Sequence, residues 1–86
     1  DDRMHRNSKI MEIYVELSTA VTLGSFIRGI REPGLEIDNL QLDHTEPAED
    51  GIRSFIVTLK SRAKRNHQQL LDSIRAVEGV VYLEEL

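Results

Sequence analysis

The amino-acid sequence predicts an α+β domain with four strands and two helices in the order β-α-β-β-α-β. Three observations carry this. Apolar residues alternate with period two in four stretches. They recur at helical spacing in two others. Gly, Pro or Asn stands at most of the changeovers. The chain has 86 residues, enough for one domain with one modest core.

Asp1 to Ser8 is polar and aperiodic and reads as a linker or tail. From Lys9 to Leu17 the pattern alternates, with Met11, Ile13, Val15 and Leu17 on one face and Glu12, Tyr14 and Glu16 on the other. This is a half-buried first strand. Ser18 and Thr19 offer an N-cap for a first helix, whose stripe is Val21, Leu23, Phe26, Ile27 and Ile30. Gly24 and Gly29 weaken that helix by about 1 kcal/mol each. Pro33-Gly34 ends it. Leu35 to His44 is a second strand, and a switch of apolar phase at Asp38-Asn39 predicts a β-bulge. Thr45 to Gly51 is a turn-rich loop, and Ile52 to Lys60 a third strand. After the basic connection Ser61 to Arg65, Asn66 and Gln69 have capping-box spacing. Leu70, Leu71, Ile74 and Val77 form the stripe of a second helix, with Gly79 expected as its C-cap. Val80 to Leu86 is the fourth strand.

This order is the split βαβ, ferredoxin-like pattern. With right-handed crossovers it predicts a four-stranded antiparallel sheet in spatial order 4-1-3-2, both helices on one face. The other face carries Ile10, Tyr14, Ile52 and Ile56 diluted by polar residues, and is either solvated or a partner surface.

Composition narrows the function. A 40% hydrophobic and 30% charged chain is globular. No cysteine is present, which excludes disulfides and thiolate metal sites. Small secreted domains often carry disulfides, so the balance tilts towards the cytoplasm. A net charge of −4 argues against general nucleic-acid binding. The apolar runs are too short to span a bilayer, and no signal peptide is visible. The opening Asp1-Asp2-Arg3-Met4 reads as a piece of a longer protein.

The topology also sorts charge. Glu16, Asp43, Glu46, Glu49, Asp50 and Glu78 fall at one end against Arg53. Arg3, Arg6, Lys9, Arg28, Arg31, Lys60, Arg62, Lys64 and Arg65 fall at the other, partly offset by Asp1, Asp2, Glu32, Glu36, Glu84 and Glu85, which leaves that end mildly basic. A basic end beside the incoming chain would favour anionic lipid by roughly 1 kcal/mol per well-placed Lys or Arg, and basic juxtamembrane residues favour the cytoplasmic side.

No phosphate-cradling glycine loop and no Ser-His-Asp or Cys-His arrangement is present, so the sequence is read as non-catalytic and calls for no cofactor. Asp43, His44 and Glu46 form a mixed oxygen and nitrogen group that fits either a loosely held divalent cation or a solvated acidic hairpin. His67, at the start of the second helix, reads as surface, and His5 lies in the tail. Tyr14 lacks the neighbouring aromatics of an RNA-recognition sheet, because Phe55 is in the opposite phase.

Several segments resemble the ACT domain, a ferredoxin-like regulatory module: Ile13-Tyr14-Val15-Glu16-Leu17, Gly24, Gly34-Leu35-Glu36-Ile37 and Val77-Glu78-Gly79-Val80. That resemblance implies small-ligand sensing, often of amino acids, at a dimer interface near the turn after the first strand. It points to Ser18, Thr19 and Gly24 as ligand-binding residues. The sequence departs from the family pattern there, since Thr19 to Leu23 lacks an acidic residue to meet an ammonium group. The chain also resembles the C-terminal soluble domain of the MgtC/SapB family, bacterial inner-membrane proteins linked to magnesium limitation. That likeness lies in Met4-His5-Arg6, the first strand and Val77-Glu78-Gly79-Val80-Val81.

Three functions follow as expectations. The first is a regulatory or protein-interaction domain on the cytoplasmic face of the inner membrane, with protein partners in the membrane. It would form a homodimer through the strand-two edge at Leu35, Ile37, Leu40 and Leu42, taken as exposed apolar residues. The second is an amino-acid-sensing ACT domain of a metabolic enzyme or regulator. The third is a divalent-cation sensor built on Asp43, His44 and Glu46.

Overall fold

The computed structural model describes residues 9–32, 34–43, 51–61 and 66–86. The elements are β1 (Lys9–Ser18), α1 (Leu23–Arg31), β2 (Leu35–Leu42), β3 (Ile52–Ser61), α2 (His67–Arg75) and β4 (Val80–Glu85). The strands form one antiparallel sheet in the order β2-β3-β1-β4, as the sequence predicts. β1 and β3 are the central pair, in unbroken register from Lys9 opposite Ser61 to Ser18 opposite Ile52.

The alternation of β1 decides which face is covered. Met11, Ile13, Val15 and Leu17 are buried with Phe55, Val57 and Leu59 of β3. Phe26 and Ile30 of α1, and Leu70, Leu71 and Ile74 of α2, complete the same cluster. The helices therefore share one face, α1 beside β2 and α2 beside β4. The helices meet where Gly29 faces Val77: a Cβ on Gly29 would stand 2.7 Å from Val77 Cγ1, so the missing side chain permits the approach.

The predicted bulge is present as a register shift between Ile37 and Asn39. A second shift, between Glu16 and Leu17, leaves Val81 as the extra residue of β4. The capping box is also present. The Asn66 side chain accepts from Gln69 N at 2.8 Å, and Gln69 Oε1 accepts from Asn66 N at 3.3 Å.

Three expectations are corrected. Thr22, not Ser18 or Thr19, caps α1, its side chain accepting from Ser25 N at 3.0 Å. β1 runs on to Ser18, which pairs with Ile52, so Ser18 and Thr19 belong to the strand end and the turn, ahead of the helix start. Ala76 caps α2, and Gly79 (φ +94°) serves the turn into β4. Leu35 is buried, and Ile37 and Leu40 pack against the core; of the four edge leucines and isoleucine only Leu42 is largely exposed, at 58%. β2 is a sheet edge, but α1 covers its inner face. What that edge presents is backbone rather than apolar side chains. His67 is at the surface, as expected, and its Nε2 lies 2.5 Å from Glu85 Oε2 across α2 and β4.

Candidate functional site

The corner between β1 and α1 is where the ACT resemblance implies a ligand. Two glycines in the left-handed region shape it. Ser18 N donates to Gly79 O and Thr19 N to Gly51 O, both at 2.8 Å. Gly79 and Gly51 hold φ of +94° and +77°, which L side chains rarely adopt. Val21 packs directly onto Gly79, where any Cβ would overlap Val21 Cγ2. The corner's own groups also satisfy each other. Ser18 Oγ accepts from Ala20 N at 3.1 Å, and Thr22 Oγ1 from Ser25 N at 3.0 Å. Gly24 sits inside the first turn of α1 and not in the turn before it. The structure thus brings Ser18 and Thr19 together at the corner, with one hydroxyl already engaged and no carboxylate in Thr19 to Leu23.

Asp43 follows β2, its N–H donating to Ser54 O at 2.8 Å. His44 and Glu46 lie outside the described residues. Among the described residues, no group of three His, Cys, Asp or Glu is placed to hold a metal ion, and no helix is long and apolar enough to cross a membrane.

Two further surfaces stand out among the described residues. Between α1 and α2 runs an open groove of about 670 Å³, where Ser25, Arg28 and Glu32 face Ser73 and Glu78 across the Gly29–Val77 contact. The outer face of the sheet is the second. Tyr14 of β1 and Tyr82 of β4 form an edge-to-face pair, with centroids 6.1 Å apart and planes at 63°. The Tyr14 hydroxyl donates to Glu16 Oε2 at 2.7 Å and lies 3.1 Å from Ser54 Oγ. It has one proton, so the Ser54 hydroxyl is the natural donor of the second bond. Ile10 (71% exposed) and Leu86 (59% exposed) lie at one end of this face, Leu86 N donating to Glu12 O.

Tyr82 was missed at the sequence level. The available signal was Leu83: if it is buried beside Val15, Tyr82 and Glu84 must face outwards beside Glu16 and Tyr14. The bulge at Val81 broke the alternation that would have revealed this.

Competing effects act on the Tyr14 phenol. The bond from Ser54 pulls its pKa down; the bond to the Glu16 carboxylate, burial, and the charges of Glu16 and Asp43 push it up, and the net is above the ordinary value of 10.0. A raised folded value means stability that is fully present below the ordinary pKa and lost as pH rises through the folded one. Alkaline titration of phenolate absorbance is expected to show a step above the ordinary tyrosine range. Glu16→Gln should move that step back down, and an unmoved step would contradict the assignment.

No family model matches the chain, and no curated protein is significantly similar to it. Solved structures are similar in fold. The crystal structure of the ACT domain from GTP pyrophosphokinase of Chlorobium tepidum is 21% identical, with a TM-score of 0.61, covering 92% of this chain and 99% of that one. The solution NMR structure of the same domain is 22% identical, with a TM-score of 0.55, covering 93% and 88%. The chain therefore has an ACT-like, ferredoxin-like fold.

Proposed function

We propose that this chain is a non-catalytic regulatory module that works by contact with a protein partner, within an MgtC/SapB-type inner-membrane protein and on its cytoplasmic face. The outer sheet face carries the reading. Ile10, Tyr82 and Leu86 are exposed there, apolar surface that a partner would cover. The corner supports it from the other side, since Ser18 Oγ and Thr22 Oγ1 already accept from Ala20 N and Ser25 N, and Thr19 to Leu23 brings no carboxylate of its own to an amino-acid ammonium group. The MgtC/SapB placement is supported by the resemblance of the first strand and of Val77 to Val81. The β2 edge is proposed as a homodimer contact through its backbone, and the basic end as an anionic-lipid contact.

A second reading is a small-ligand sensor. The likeness to an ACT domain favours it, as does the groove between α1 and α2, where Arg28 could meet a carboxylate and Glu32 or Glu78 an ammonium. Thermal unfolding with each amino acid at saturating concentration separates the two. A ligand at a hundred times its Kd would stabilise the fold by about 2.7 kcal/mol. No change in Tm is expected; a saturable rise with one amino acid would overturn the first reading in favour of the second.

A further inference from the structure

We infer that the outer sheet face docks a basic segment of a partner protein, one of whose Lys or Arg side chains is held over Tyr14 and Tyr82 between Glu16 and Glu84. The inference rests on the interaction-module reading and names the chemistry of what the module contacts.

The register builds the site. Across the β1–β4 ladder Tyr14 stands opposite Glu84, and Glu16 opposite Tyr82. The two tyrosines occupy one diagonal of a two-by-two block and the two glutamates the other. Directly opposite residues in such a ladder are about 5 Å apart and diagonal ones about 7 Å, so one cation reaches all four. A guanidinium or ammonium group is attracted to a ring face within about 6 Å, and carboxylates on either side add to that attraction.

The surroundings have the same sign. Among the described residues Glu12, Glu16, Glu36 and Glu84 project from this face against Lys60, and Asp43 adds its charge near Tyr14. The complement of that surface is positive. A second copy stacked on the same face would set carboxylates against carboxylates, and anionic lipid or nucleic acid would be repelled for the same reason. Ile10 and Leu86, at the end of the face, offer apolar contact to the uncharged side of an amphipathic segment.

The test measures binding of a labelled hexa-arginine peptide to the 86-residue chain by fluorescence anisotropy, with hexalysine and hexaglutamate as comparators. Saturable binding of the two basic peptides that weakens with added salt is expected, and none of hexaglutamate. Tyr82→Ala combined with Glu84→Gln should weaken binding about tenfold, the order of one lost cation–π contact with its ion pair. Both residues are exposed, and circular dichroism verifies that the variant stays folded. Tyr82→Phe keeps the ring and should bind as the parent does. Absence of peptide binding, or equal affinity of the double variant, overturns the inference, as does self-association by sedimentation that the double variant abolishes. Failure here leaves the interaction-module reading in place, because that reading falls only to stabilisation by an amino acid.

Discussion

Gly79→Ala is expected to cost about 3 kcal/mol. Two penalties add at this position. An L side chain at φ +94° is strained by roughly 1–3 kcal/mol. The new Cβ would also overlap Val21 Cγ2 and press on its Cβ at 3.1 Å, and overpacking of this kind costs about 1–3 kcal/mol. The Ser18–Gly79 hydrogen bond links the same two segments, so the corner cannot move away without losing it. Gly34→Ala is the control. Its φ of +91° is as strained, but nothing lies within 4 Å of the added Cβ, so about 1 kcal/mol is expected. Denaturant midpoints of the two variants measure the difference. Equal losses would mean that the Val21 contact does not matter.

Phe26→Ala is expected to cost about 3–5 kcal/mol, because a fully buried ring is replaced by a cavity. Phe26 joins α1 to the sheet, within the same cluster as the inner residues of β1 and β3. A chain of this length has a total stability of about 4–13 kcal/mol, so the variant loses a large share of it. Its amide spectrum should lose dispersion at moderate denaturant, where the parent remains folded. Phe26→Leu, which keeps most of the volume, should cost about 1.5 kcal/mol or less. A midpoint unchanged by Phe26→Ala would contradict the packing described.

The fold was legible wherever one periodicity ran without competition. β1 alternates without a break because it is central and covered on one face only, and its register with β3 follows from that alternation. The bulge in β2 was legible because it flips the apolar phase at Asp38-Asn39. The cap of α1 was not, since Ser18, Thr19 and Thr22 are chemically equivalent candidates, and only the length of β1 chooses among them. From sequence Leu35 reads as an exposed edge residue, because topology names the edge strand but not which helix covers its inner face. The turn between β1 and α1 follows from the order of elements, but the bonds that Ser18 Oγ and Thr22 Oγ1 accept there depend on backbone geometry that residue types do not reveal. The tyrosine pair needed two strands far apart in sequence and a bulge between them, so no local pattern could announce it.

The most direct test of the account is an amide-shift map of the 86-residue chain, recorded with the amino acids and then with the arginine peptide. The account predicts no shifts at residues 18–25 with any amino acid, and saturable shifts at residues 12–16, 54–58 and 82–84 with the peptide. Saturable amino-acid shifts at residues 18–25 or along the α1–α2 groove, with the outer sheet face silent to the peptide, would contradict it and make the domain a ligand sensor.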